Sequence, residues 1–469
     1  MVAWLDQIIR TGNTILWSYV LIIVLIGSGV YFTIRTRFVQ FRLFGEMIRL
    51  LGKETTGNRS NKKGSVSSFQ AFCIGTASRV GTGNIAGVAI AISLGGPGAV
   101  FWMWVIALIG GASAFVESTL AQIYKVRDGQ VYRGGPAYYM EKALNKRWLG
   151  VIFSILITIS FGFVFNSVQA NTAALSFEAA FGIPTDAFAI VLAILVVIVI
   201  FGGVKNVAKL SSIIVPVMAI LYILIALYMI VVHFTRIPEV ISYIIGSAFG
   251  WEQAVSGGIG AAMMEGIKRG LFSNEAGMGS APNAAATAEV THPVKQGLIQ
   301  ALGVFTDTLL ICSATAFIIL FADIPEGMDL MGIQLTQYAL TSSMGSWVSG
   351  LLAVMVFMFA YSSIIGNYYY GETNIEFLNG SKMLLFCYRI IVVAMVIFGS
   401  LAQVQVVWDL ADLFMGLMAL LNLGVILVLG RIAFAALQDY MKQRKAGKDP
   451  QFVASHIDGL TGAECWEDH

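Results

Sequence analysis

Two stretches of this chain concentrate glycine together with hydroxyl and amide side chains, residues 76–87 (TASRVGTGNIAG) and 270–283 (GLFSNEAGMGSAPN). Neither suits a continuous helix. Each glycine costs about 1 kcal/mol relative to alanine in a helix interior, and Pro282 lacks a donor and obstructs the preceding turn. Opened backbone can instead bind. A half-helix N-terminus offers N–H groups and a positive dipole end to an anion, and freed carbonyls suit a hard cation such as Na+. A zwitterionic amino acid can use both kinds of group. Close helix packing by small residues is the competing reading. It explains isolated glycines better than two clusters that also carry Asn, Ser and, in the second, Pro. Gly81-x-Gly83-x-x-x-Gly87 is not a dinucleotide fingerprint, because no βαβ unit surrounds it.

Charges near these clusters are functional candidates by their position in apolar segments. Arg79 and Glu275 lie within the clusters, and Glu117 and Asp307 lie in apolar runs elsewhere. Asp307 can serve a cation site, a proton relay or an internal ion pair. Glu117 reads as a structural pairing residue. Arg79 is expected to pair with an acid such as Glu275 or Asp307 at an inner gate. The four cysteines and four histidines are scattered without metal-ligand spacing. No Walker A, HExxH, Gly-x-Ser-x-Gly or His–acid constellation is present, so neither an enzyme nor an ATP-driven pump is expected.

The elements that hold these groups follow from hydrophobicity. The chain has 469 residues, of which 57% are hydrophobic and 12% charged, with mean hydropathy +0.78. A bilayer absorbs that much apolar surface at about 20 residues per span; one soluble core does not. The net charge of +2 gives no reason to expect nucleic-acid binding. Apolar runs mark eleven spans, at about 14–34, 68–94, 98–124, 149–176, 186–203, 211–233, 253–290 (interrupted), 297–322, 346–371, 383–401 and 409–430. The first run is too long for a signal-peptide core.

Alternate loops hold 23 of the 29 Lys and Arg residues, and the opposite loops with the N-terminus hold only Arg10 and Arg236. By the positive-inside rule the N-terminus is outside and the C-terminus cytoplasmic. The expected division is an extra N-terminal helix (1–34), a basic cytoplasmic loop (35–67), a first five-helix repeat (68–233), an extracellular loop (234–252), a second five-helix repeat (253–430) and a cytoplasmic tail (431–469). Segments 237–252 and 328–345 are long enough for surface helices over an outer vestibule, near the outer-loop acids Glu239, Asp323, Glu326, Asp329 and Asp409. The tail from Lys442 onward is expected to be mobile. Each glycine cluster falls in the first span of its repeat. Interrupted spans at matching positions of two inverted halves point to a binding site at the bilayer midplane. The fold class expected is therefore an all-α polytopic membrane protein of about 11 helices, a five-plus-five inverted repeat with two discontinuous helices.

Residues 95–105 (GGPGAVFWMWV) with Gly110, residues 80–87 (VGTGNIAG) and residues 268–282 (KRGLFSNEAGMGSAP) resemble motifs of the alanine/glycine:cation symporter family. The likeness runs from about residue 14 to 440. The resemblance implies Na+ (in some members H+) symport of small neutral amino acids, and the inverted-repeat fold with one extra helix. It also implies roles. Thr82, Gly83 and Asn84 would meet the substrate carboxylate or ammonium. Phe272, Ser273, Ala276, Gly277 and Met278 would line the second break, with Phe272 a gate. Gln169 and Asn171 would bind substrate or tie helices together. Ser362 and Ser363, beside the Ala77 and Val80 carbonyls, would hold Na+, although membrane serines more often bond their own backbone. Members that carry alanine or glycine often have Trp where this chain has Asn367. That exchange empties a large volume and adds an amide, which favours a larger polar substrate, with glutamine the leading candidate.

The expected function is Na+-coupled import of a small neutral amino acid across the cell membrane of a bacterium or archaeon, with Na+ as coupling ion and no other cofactor. A proton-coupled carrier and a non-transporting amino-acid sensor are the alternatives. A channel would not need two matched broken helices.

Overall fold

The computed structural model describes residues 3–56, 66–250, 258–325 and 330–467. Long helices run Gln7–Arg35, Gly98–Ile123, Arg147–Phe181, Asn206–Val232, Pro293–Phe321, Trp347–Leu378, Lys382–Leu401 and Val404–Lys445, with a shorter one at Thr185–Ile200. Two more spans are broken. The first is Ser68–Arg79 followed, after a gap, by Thr82–Gly95. The second is Gly258–Asn274 followed by Ala281–Ala285. The eleven expected spans are therefore all present, and most reach further than their apolar runs. The start of the second broken span (253–257) and two of the acids expected in outer loops, Glu326 and Asp329, lie outside the described residues.

The outer surface of the bundle is apolar. Ile23, Ile198, Val231 and Val428 are largely exposed, as lipid-facing side chains must be. The polar residues turn inward, and every described residue at 71–91 and 265–288 is buried. The first broken helix starts at a capping box: Gln70 N donates to Ser67 Oγ at 3.1 Å, and Ser67 N to Gln70 Oε1 at 3.0 Å. Two surface helices, Ile237–Ala248 and Ile333–Met344, fall in the segments expected to cap an outer vestibule. They close it. Thr336 Oγ1 donates to Ile85 O at 3.3 Å, and Ser247 Oγ accepts from Gly98 N at 3.1 Å.

Among the described residues three helices widen into π-turns, at Leu16–Val20, Thr158–Phe165 and Thr306–Cys312. A π-turn inserts an extra residue per turn and rotates the side chains beyond it. The third carries Asp307.

The tail departs from expectation. It folds back across the polar face instead of moving freely. Phe452 N donates to Thr291 O at 2.9 Å, Lys295 Nζ pairs with Asp449 at 2.7 Å, and Trp466 Nε1 donates to Gln122 O at 2.8 Å. Polarity alone suggested mobility, but Phe452 and Trp466 supply apolar anchors that pack edge to face with ring centroids 5.3 Å apart. His292 sits beneath this strap. Its Nδ1 accepts from Val294 N at 3.2 Å and its Nε2 faces Asp439 at 3.2 Å, the pattern of a neutral ring.

Burial lowers the His292 pKa to about 4, against the pull of Asp439; Lys295 and His456 also face it and add to the lowering. Below the usual histidine value near 6.5 the unfolded state takes up a proton that the folded state refuses, so stability falls with pH from about 6.5 to about 4 and then levels off. Limited proteolysis of the tail is therefore expected to accelerate across that window, and much less so in His292→Asn. Equal acceleration in both would refute the assignment.

Candidate functional site

The two breaks meet at the centre of the bundle. At the first, Val80 ends its helix, Gly81 is extended, and a 3-10 turn spans Thr82–Asn84. The freed donors find side chains. Gly81 N donates to Asn84 Oδ1 at 2.9 Å, and Thr82 N to Gln169 Oε1 at 2.9 Å. At the second, Glu275 takes a left-handed φ of 57°, with Gly277 at 82° and Gly279 at 87°. Only glycine adopts that region without strain. Substitution at either glycine is therefore blocked by conformation and also by the close approach of Leu423 and Pro136 respectively.

Three buried carboxylates tie the breaks to their surroundings. Asp307 accepts from Asn84 Nδ2 at 2.6 Å, Ser273 Oγ at 2.6 Å and Thr308 Oγ1 at 2.9 Å. It thus touches both broken helices. Glu275 accepts from Ser78 Oγ at 2.7 Å and Ser280 Oγ at 2.6 Å. Glu117 accepts from Gly277 N and Gly279 N, each at 3.0 Å, and from Asn422 Nδ2 at 2.9 Å, while Tyr139 Oη donates to Asn422 Oδ1 at 2.5 Å. The group held by the opened second helix is therefore the protein's own Glu117 carboxyl.

Arg79 corrects an expectation. It makes no ion pair with Glu275 or Asp307 among the described residues. Its Nη1 donates to Gln300 O at 3.2 Å and Gln300 Oε1 at 3.1 Å, and Nε and Nη2 have no partner. The cause lies on the facing helix: a side chain at Gly303 would collide with Arg79 Nη1, so its absence opens the groove into which the guanidinium turns.

The other expected site residues divide. Phe272 lies against the first break, where a Cβ at Gly83 would meet its ring at 2.6 Å. It packs between the tilted rings of Phe165, at 4.5 Å between centroids, and Trp408, at 4.7 Å. Ser273 joins it through Asp307. Ala276 turns away, into a small cluster with Ala107, Ala114, Val304 and Phe305. Gly277 faces Leu423 and Glu117. Met278 is buried in the main core. All three lie between the two helices of the second break.

Ser363 Oγ donates to Ala77 O at 2.7 Å, beside Val80. Ser362 does not join them: its hydroxyl bonds Phe359 O at 3.0 Å and contacts Met218 Sδ at 3.4 Å, because adjacent residues on a helix point about 100° apart. Gln169 reaches the first break, whereas Asn171 ties helices together by donating to Gly399 O at 2.9 Å and Ala402 O at 2.7 Å.

Asn367 lies 2.7 Å from Ser78 Oγ, and its Nδ2 has no other partner. One hydroxyl proton cannot serve both Asn367 and Glu275. With the amide turned to donate, a chain runs from Asn367 through Ser78 to Glu275. The Tyr370 hydroxyl and two nitrogens of Arg79, nearby in the fold, are also buried without partners. Buried donors of this sort are costly unless something binds them.

Both ends of the centre are closed. On one side Arg269 pairs with Asp412 at 2.7 Å and lies 4.7 Å over the Trp408 ring, while Lys268 pairs with Glu265 at 3.1 Å. On the other stand Glu275, Ser78, Glu117 and Arg79. Sequence reasoning missed Asp412, Gln300, Asn422 and Ser78 as partners. Asp412, an acid within the apolar run 409–430, and the amides Gln300 and Asn422 within their apolar runs were the available signals.

Comparison with known proteins bears on this arrangement. A family model described as the sodium:alanine symporter family matches residues 2–454. The chain is 58% identical over 462 residues to the probable sodium/glutamine symporter GlnT of Bacillus subtilis, covering 98% of this chain and 96% of that one. It is 57% identical to the amino-acid carrier protein AlsT of the same organism (100% and 99%), and 37% identical to the sodium/alanine symporter AgcS of Methanococcus maripaludis (94% and 98%). Among solved structures it is similar in fold to a manganese transporter of Eremococcus coleocola (TM-score 0.55, 14% identity, 82% and 81% covered) and to a Na+-coupled sialic acid symporter (TM-score 0.51, 15% identity, 84% and 86%).

Proposed function

Because the chain belongs to the sodium:alanine symporter family, we propose that this membrane protein carries a small neutral amino acid inward with Na+ by alternating access, and that glutamine is its preferred cargo. It is a carrier and not an enzyme. The observation that carries this reading is the meeting of two broken helices at a buried polar centre with a closed gate on each side.

The chemistry divides between the breaks. Na+ sits at the Ala77 and Val80 carbonyls with the Ser363 hydroxyl, a set of hard oxygen donors. The carboxylate and ammonium of the amino acid meet Thr82, Gly83 and Asn84, with Gln169 holding the turn in shape. Phe272 closes over them, backed by Phe165 and Trp408. Na+ binding orders the first break, which pre-forms the amino-acid site. Each ligand then raises the other's affinity by the same factor. Opening outward parts Arg269 from Asp412. Opening inward parts Ser78 from Glu275. The Lys and Arg distribution supports a cytoplasmic C-terminus, so the Arg269 gate is the outer one.

The glutamine preference rests on Asn367. With Nδ2 donating to Ser78, its Oδ1 takes the position that has no partner and suits the donor of a polar side chain. The relative that shares the most identity among those described is named for glutamine.

In proteoliposomes an inward Na+ gradient is expected to drive accumulation of labelled glutamine, with alanine slower. In Asn367→Trp the indole fills the position 2.7 Å from Ser78 Oγ, and glutamine uptake is expected to fall ~100-fold with alanine affected ~10-fold or less, the range a filled pocket produces. Full glutamine transport by that variant would discard the pocket argument. Uptake driven by a pH gradient without Na+ would replace Na+ by H+ as coupling ion.

A further inference from the structure

A cavity of about 360 Å³ opens at the polar end of the bundle, where the first helix finishes beside the end of helix Val404–Lys445. Its walls carry five cations, Arg35, Arg37, Arg42, Lys442 and Lys445, all exposed. No carboxylate lines it. Among the described residues none of the five has an acidic partner within ion-pair distance, although neighbouring Arg49 and Arg444 are both engaged by Glu46. Five like charges gathered around one cavity make a concentrated positive field that favours an anion there.

The floor is apolar. Phe434 lies 5.4 Å beneath the Arg35 guanidinium, and Leu437 and Met441 continue it. The chain reaches this geometry at a cost. Arg37 and Phe38 take consecutive left-handed φ values of 55° and 58°, a conformation that disfavours side chains other than glycine. The result is a hairpin reversal that sets Arg37 and Arg42 on the same cavity. Strain held at non-glycine positions is a mark of function when it positions a ligand-binding group. Just beyond, Phe38, Phe41, Phe44 and Ile48 are exposed along two short helices, the pattern of a segment lying in the membrane surface.

We propose that this cavity binds the phosphate headgroup of an anionic phospholipid in the inner leaflet. The cations take the phosphate, guanidinium groups offering paired donors to its oxygens. The Phe434 floor receives the glycerol and first acyl carbons. The exposed phenylalanines fix the depth at which the headgroup lies. A free phosphate ion shares the charge but has no use for the apolar floor or for a site at membrane level. The lipid joins the extra N-terminal helix to the C-terminal helix. That C-terminal helix carries Asp412 of the outer gate and Asn422 at the second break. The assignment to the inner leaflet rests on the orientation supported by the Lys and Arg distribution; the binding itself does not depend on that orientation.

Native mass spectrometry of the full-length protein in detergent tests this. With phosphatidylglycerol and phosphatidylcholine supplied at equal concentration, one phosphatidylglycerol adduct is expected to persist in preference to phosphatidylcholine. The triple variant R37Q/R42Q/K445Q is expected to bind it ~100-fold more weakly, each surface cation contributing about a factor of five. The charge-preserving R37K/R42K/K445R is expected to retain it. Equal retention of the two lipids, an unchanged adduct in the neutralised variant, or loss of the adduct in both variants overturns the proposal. Displacement of the lipid by millimolar inorganic phosphate would assign the site to free phosphate instead.

Discussion

Glu117→Ala is expected to abolish Na+-driven uptake and to lower stability by about 3–9 kcal/mol. Three donors converge on this carboxylate: Gly277 N, Gly279 N and Asn422 Nδ2. The site is fully buried, so water does not readily replace it. Leaving a buried donor unsatisfied costs about 1–3 kcal/mol, and three such losses give the expected range. The two glycines hold left-handed conformations that the second break depends on. Without an acceptor, the break has reason to refold toward helix or to collapse on Leu423. A loss of this size is ~100-fold or more in any equilibrium that requires the break to be intact. Glu117→Gln separates charge from shape. Its carbonyl keeps one glycine donor, and its NH2 opposes the other, so an intermediate melting temperature in detergent is expected. Alanine and wild-type proteins that melt together and transport alike would remove Glu117 from any role at the break.

Asp307 bears the second large effect. Every bond it makes within the protein is from a neutral donor: Asn84, Ser273 and Thr308. No Lys or Arg lies within ion-pair distance among the described residues. A buried carboxylate without a counter-ion either carries a proton or waits for a cation. It also links the first broken helix to the second, so whatever occupies it acts on both. Asp307→Ala is expected to reduce gradient-driven uptake ~100-fold or more and to destabilise the protein by about 3–9 kcal/mol, since it leaves three polar groups unpaired. Asp307→Asn keeps the volume and one acceptor. It is expected to melt near the wild type and still lose gradient-driven uptake ~100-fold. Wild-type uptake by Asp307→Asn would show that the charge is dispensable and that the residue only brackets the two helices.

The two positions illustrate how differently function was legible. Asp307 was visible as a charge in an apolar run, and three roles remained open for it. Its contacts with Asn84 and Ser273 depend on a π-turn at Thr306–Cys312 that no local pattern announces. Glu117 was visible in the same way and was read as structural. That it fills the opened second helix, the place where a substrate carboxylate was a reasonable guess, could be seen only when helix Gly98–Ile123 was docked beside it. Arg79 was expected beside an acid and turned instead to Gln300, because Gly303 leaves a groove. Ser362 and Ser363 were indistinguishable by sequence, and the rotation of one helix separates them.

What the residues determined by themselves is local. Apolar runs of membrane length set eleven spans, because unpaired backbone cannot face lipid. Glycine and proline among polar groups set two breaks, because helix propensity fails there within a few residues. The alternation of Lys and Arg sets an expected orientation. Tertiary structure decided the pairings. Partners separated by 160 residues, as Glu117 and Gly277 are, or by 223, as Asn84 and Asp307 are, meet only through helix rotation and depth. A single π-turn or a missing Cβ on a facing helix shifts those quantities by a side-chain width, and so settles which of several nearby polar groups becomes the partner.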